Sequence, residues 1–115
     1  MPDRGVEPPA EDDYTELVLA VVERIPPGRV MTYGDIAEYV GRGGPRQVGT
    51  VMSRSGAGVP WWRVIRADGH PVRGLEDRAL DRLAAEGCAI SGDRVRLSVA
   101  RWNPGADNGG VPAPD

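Results

Sequence analysis

Residues 32–52 read TYGDIAEYVGRGGPRQVGTVM, and this stretch decides the fold. Thr32 has the chemistry of a helix N-cap, and Asp35 follows at close to the spacing of a capping box. Ile36, Ala37 and Val40 then share one helical face, and Gly41 stops the helix. The turn Arg42-Gly43-Gly44 delivers the chain to Pro45, a residue suited to the first turn of a new helix. Val48, Val51 and Met52 give that helix a buried stripe, and Gly49 is expected to let it approach a neighbour closely. Two short helices about a tight glycine turn predict a helix-turn-helix.

On the N-terminal side, Tyr14, Leu17, Val18, Val21, Val22 and Ile25 recur at helical spacing. Pro26-Pro27-Gly28 ends that helix, and Arg29-Val30-Met31 is a short extended link. On the C-terminal side, Arg54 to Gly58 reads as a loop and Val59 to Ile65 as an apolar run able to extend. Turn chemistry at Ala67-Asp68-Gly69-His70 predicts that Trp62–Arg66 and Pro71–Arg73 form a small wing. Leu75, Ala79, Leu80, Leu83 and Ala84 mark a fourth helix that ends at Gly87. Cys88-Ala89-Ile90 and Val95-Arg96-Leu97, on either side of Ser91-Gly92-Asp93, read as a terminal hairpin or irregular pair. Trp102 is expected to pack back on the domain. The expected fold is mostly α with a small β wing, a winged helix-turn-helix.

The chain has 115 residues, enough for one core. Apolar residues at 40% and charged residues at 27% read as soluble and globular. Residues 1–11, acidic and Pro-rich, and residues 105–115 read as disordered tails, which leaves a domain over 12–104. No apolar run approaches the ~20 residues of a membrane span, and the N-terminus has no apolar signal-peptide core. A single cysteine, Cys88, excludes an internal disulfide and a multi-cysteine zinc site. A single histidine, His70, argues against His-dependent metal or triad chemistry, and no cofactor is indicated. The expected location is cytoplasmic, and the expected state is a monomer.

The net charge of −3 argues at first against a nucleic-acid partner. Its distribution argues the other way. Eight arginines against three acids lie between Arg24 and Arg73, while residues 1–13 hold five acids and one arginine. All fourteen basic residues are Arg, the better fork for phosphates and base edges. GC-rich codon usage accounts equally well for the missing Lys, but not for positive charge gathered in mid-chain.

The segments IPPGRVMTYGDIAEYVGRGGPRQVG (residues 25–49) and VPWWRVI (residues 59–65) carry I-P-x-G-x-V-x-T-Y-G, P-R-x-V-G and P-x-x-R-V-I in that order. In this the chain resembles the DNA-binding domain of the O(6)-alkylguanine-DNA alkyltransferases, from about Leu17 to Pro104. In the active family the last motif is Pro-Cys-His-Arg, whose cysteine takes the alkyl group with help from the histidine. Here it is Pro60-Trp61-Trp62-Arg63. An indole offers neither a thiolate nor a proton acceptor, so alkyl transfer by that mechanism is not expected. The pattern is similar to the alkyltransferase-like proteins, in which Trp replaces the cysteine. Most of those keep the histidine, and Trp62 is a departure. Cys88, in an apolar triplet after a helix stop, is expected to be a small core residue and not a replacement nucleophile.

The resemblance implies the remaining roles. Arg46, just inside the third helix, would be the arginine finger that fills the gap left by a flipped nucleotide. Tyr33 would crowd the target phosphate and help rotate the nucleotide. Trp61 would line the lesion pocket, with an apolar face for an alkyl group and an N–H donor. Val59 and Pro60 would shape the pocket wall, and Arg63 would tie the site loop to its surroundings. Arg73 would stack on an aromatic lesion. Trp62 is open between a direct role and packing. Thr32 is read as a cap that also holds a phosphate at the helix N-terminus. Arg42, Arg54 and Arg66 are expected phosphate contacts.

The third helix, with Val48, Gly49, Val51 and Met52, has few base-reading groups. That suits a helix pressed into the minor groove more than major-groove readout. The expected function is a non-enzymatic sensor of O(6)-alkylguanine in double-stranded DNA. It would flip the nucleotide without repairing it and hand the site to nucleotide excision repair proteins. The alternative is a sequence-specific winged-helix regulator without lesion recognition.

Overall fold

The computed structural model describes residues 9–104, with side chains from Asp13 onward. Helix α1 spans Pro9–Arg24, strand β1 Met31–Thr32, helix α2 Tyr33–Val40 and helix α3 Pro45–Ser55. Two 3-10 turns follow, Gly56–Gly58 and Trp61–Arg63, then strand β2, Val64–Ile65. Helix α4 spans Glu76–Ala85, strands β3 and β4 are Ile90–Ser91 and Arg94–Val95, and a short α5 is Leu97–Ala100. Helix α1 begins inside the stretch assigned to the N-terminal tail; the rest of that tail and residues 105–115 lie outside the described residues.

The helix-turn-helix forms as its local chemistry dictates. Thr32 and Asp35 make both bonds of the capping box, Asp35 N–H to Thr32 Oγ1 at 3.0 Å and Thr32 N–H to Asp35 Oδ2 at 3.1 Å. Gly41 closes α2 at φ 91°, a conformation that glycine adopts without strain. Pro45 opens α3, and the Gly44 N–H is held by Gln47 Oε1 at 2.9 Å. Among the described residues, no helix is long and apolar enough to cross a membrane.

The core has two parts. Val18, Val22, Ile36, Val48 and Val64 join α1, α2 and α3, with Trp102 packed against them as expected. Val30, Ile65, Leu83, Cys88, Val95 and Ala100 form the other. Strands β1 and β2 run parallel between them, with Met31 opposite Val64 and Thr32 opposite Ile65. Alternation along the strands sends Met31 and Val64 to the first cluster and Ile65 to the second.

Three local expectations are corrected. Trp62–Arg66 and Pro71–Arg73 do not pair as a wing. Strand β2 pairs in parallel with β1 instead, and the antiparallel pair among the described residues is β3–β4, in the place expected of the terminal hairpin. Arg54 to Gly58 is not an open loop, because α3 continues to Ser55 and a 3-10 turn takes over directly. Gly49 is not a close-approach residue, since a Cβ built there meets no atom within 4 Å. It faces open space on α3.

Candidate nucleic-acid interface

The turn that carries Trp61 is built by its own sequence. Pro60, at φ −72° and ψ 71°, is the centre of an inverse γ-turn closed by Trp61 N–H to the Val59 carbonyl at 2.6 Å. The Arg63 N–H then reaches the Pro60 carbonyl at 3.0 Å and starts the 3-10 turn. Two adjacent indoles thus leave the backbone in different directions. Their rings meet edge to face, 5.6 Å between centroids and 87° between planes.

Trp61 lines an open cavity of about 630 Å³, within the usual range for ligand sites. Tyr33 at the start of α2 forms another part of the wall. From α3 come Gly49, Met52 and Ser53, with Gly56 and Ala57 behind them. Val72, Arg73 and Leu75 approach from the loop, and Arg78 and Arg82 from α4. The Trp61 N–H and the Tyr33 hydroxyl have no internal partner among the described residues, yet neither is sealed from solvent. Burial pushes the Tyr33 phenol above its ordinary value against the opposing charge of Arg66. At neutral pH it is therefore a neutral donor.

Trp62 points elsewhere. Its Nε1–H donates to Glu86 Oε2 at 2.9 Å, and its ring lies against the guanidiniums of Arg63 and Arg82. Glu86 is the hub of this corner. It accepts Arg63 Nη2–H at 2.6 Å, Arg63 Nε–H at 3.0 Å and the Gly28 N–H at 3.0 Å. Arg63 also donates Nη1–H to the Ile25 carbonyl at 2.9 Å. The end of α1, the Trp61 turn and the end of α4 are tied at one carboxylate. Burial alone would raise the Glu86 carboxyl, but these donors hold it below its ordinary range. Gly28 fits this corner at φ 84°, where a Cβ would stand 3.0 Å from the Glu86 carbonyl oxygen.

The other expected site residues fall into distinct places. Arg46 is exposed near the start of α3, and its guanidinium has no ion pair or hydrogen bond among the described residues. Val59 and Pro60 shape the turn but do not line the cavity. Thr32 is 3% exposed with its hydroxyl in the cap. Arg42 pairs with Asp13 at 3.0 Å and lies over Tyr14. Arg54 lines a second hollow, of about 370 Å³, with Tyr14, Thr15 and Gln47. Arg66 donates to the Pro71 carbonyl at 3.0 Å. Cys88 is 9% exposed in the second core cluster, and burial followed by the charge of Glu86 raises its thiol. That opposes thiolate formation.

Sequence reasoning missed Arg78, Arg82 and Glu86. The spacing of Leu75, Arg78 and Arg82 places them on one helical face, which was the available signal. The start of α2, which carries Tyr33, is braced from outside by Arg101 Nε–H and Nη2–H to Asp35 at 2.9 and 3.0 Å. Thr32→Ala is expected to cost about 1 kcal/mol, read as a lower urea midpoint. An unchanged midpoint would show that the cap contributes nothing.

Comparison with known proteins places this geometry. The family model for the DNA-binding domain of 6-O-methylguanine DNA methyltransferase matches residues 13–88. Alkyltransferase-like protein 1 of Schizosaccharomyces pombe is 42% identical over 106 residues, covering 82% of this chain and 97% of the relative. The DNA base-flipping protein of Escherichia coli is 38% identical over 99 residues, covering 81% of this chain and 77% of the relative. The crystal structure of S. pombe Atl1 in complex with damaged DNA containing O6-carboxymethylguanine superposes with a TM-score of 0.72. That superposition has 36% identity and covers 81% of this chain and 97% of Atl1.

Proposed function

The chain belongs to the 6-O-methylguanine DNA methyltransferase DNA-binding-domain family, and from that premise we propose that it is a non-enzymatic sensor of O(6)-alkylguanine in duplex DNA. The observation that carries the reading is Trp61, at the motif position of the family's cysteine, on the wall of an open cavity. Had its indole been sealed in the core, no purine could have reached it. No described lining residue is a carboxylate, so the cavity wall does not repel nucleic acid.

The residues divide the work. Taking a base out of the stack costs a few kcal/mol. Arg46, exposed at the start of α3 and without a partner among the described residues, fills the vacancy in the duplex. Tyr33 crowds the target phosphate, and its neutral hydroxyl is free to donate to it. The flipped base lies against Trp61 with Arg73 beside it. Gly49, Met52 and Ser53 on the cavity side of α3 are small or apolar, which suits a sequence-tolerant helix in the minor groove. With an indole in the cysteine position and Cys88 in the core, the lesion is held and not repaired. A monomer that bends and marks the duplex in the cytoplasm would then present it to nucleotide excision repair proteins. The names of the S. pombe and E. coli relatives, and the damaged DNA bound to Atl1, support this reading.

The test is a gel-shift comparison of one duplex with guanine or O(6)-methylguanine at a single site. Tighter binding to the alkylated duplex is expected, with no alkyl group found on the protein by mass spectrometry. Equal affinities would overturn the reading, and a sharp consensus selected from random DNA would favour a sequence-specific regulator.

A further inference from the structure

The cavity beside Trp61 has two unlike sides. Trp61, Met52, Ala57 and Val72 offer it apolar surface, whereas Arg73, Arg78 and Arg82 are its charged lining residues. No ion pair neutralises these three among the described residues, and no described lining residue is a carboxylate. Arg82 is held in place before any ligand arrives. Its guanidinium lies 4.6 Å from the centre of the Trp62 ring, and Trp62 is itself fixed by Glu86. A cation ordered in advance loses less freedom when it binds an anion.

A methyl or ethyl substituent makes little use of several cations, since a small alkyl group is satisfied by apolar surface alone. An anionic substituent among the lining arginines instead gains charge-assisted hydrogen bonds. We propose that this cavity selects by charge, preferring O(6)-alkylguanines whose substituent ends in an anion such as a carboxylate over neutral substituents of equal size. Arg78 and Arg82 on α4 are the specificity-determining residues. The inference rests on the lesion-sensor reading of the same cavity. Phosphates of the bound duplex are the other anions these arginines could meet, and the experiment separates the two sources.

Dissociation constants are measured for the full chain by fluorescence anisotropy on three duplexes that differ in one base. That base is guanine, O(6)-carboxymethylguanine or the neutral amide O(6)-carbamoylmethylguanine, which matches the acid in size. The acid is expected to bind about fivefold or more tighter than the amide. In the double variant Arg78→Gln, Arg82→Gln that ratio is expected to fall close to one, while the preference for the amide over guanine persists. Thermal melting reports folding; if the double variant is unfolded, each single variant is expected to lose part of the ratio. Acid and amide binding equally, but both tighter than guanine, would overturn charge selection and leave the sensor reading standing. Neither binding tighter than guanine would overturn the sensor reading itself. An equal loss by the variant on all three duplexes would assign the arginines to phosphates and overturn the proposal.

Discussion

Glu86→Ala is expected to remove about 2–3 kcal/mol of folding stability, the cost of leaving partly buried donors, one of them charged, without their acceptor. The Arg63 and Glu86 side chains are only 13% and 15% exposed. Removing the carboxylate strands the Arg63 guanidinium, the Trp62 indole N–H and the Gly28 N–H together. The pH dependence separates lost charge from lost packing. The Glu86 pKa is lowered in the folded state, so its contribution is complete above the ordinary value of 4.5 and is lost as pH falls through the lower native value. The gap in urea midpoint between the parent and Glu86→Ala is therefore expected to be wide at neutral pH and to shrink below 4.5. A gap that stays constant into acid would show that the charge contributes nothing. Asp35, lowered chiefly by its bond from Arg101 against the raising effect of burial, adds acid lability of the same sign.

Arg46→Ala is expected to weaken binding to an O(6)-methylguanine duplex by tenfold or more, about 1.4 kcal/mol, with little change in thermal stability. The side chain is exposed and has no described partner, so folding does not depend on it. The size of the effect follows from the cost of an empty place in the base stack, which a planar guanidinium offsets by stacking. Arg46→Lys keeps the charge but not the plane, and most of the loss is expected to remain. Full recovery with lysine would reduce Arg46 to a phosphate contact. Unchanged affinity in Arg46→Ala would remove the finger role altogether.

What the sequence made legible was local. The Thr32–Asp35 box, the Gly41 stop, Pro45 at the head of α3 and the turn between β3 and β4 each depend on residues a few positions apart. The wing was misplaced because β1 and β2 pair across more than thirty residues, Met31 to Val64, over only two positions each. Nothing in so short an apolar run announces its partner. For the site, Tyr33, Trp61 and Arg73 were found and do meet at one cavity. The resemblance implies a pocket wall at Val59 and Pro60, yet both sit in the turn beside the cavity, and Trp62, open between a direct role and packing, is drawn to Glu86. Arg78, Arg82 and Glu86 escaped because their roles depend on which face of α4 turns inward. Charge pattern alone describes that helix as an ordinary solvated surface.

The parallel pairing of β1 with β2 also governs when this binding face comes into existence. Tyr33 directly follows one strand and Trp61 lies just before the other. The two walls therefore stand opposite each other only after a distant loop has closed, a slow kind of contact for a chain to make. During synthesis the helix-turn-helix, capped by residues a few positions apart, is expected to form ahead of that closure. Such a chain would hold a DNA-facing unit before the chamber beside it exists.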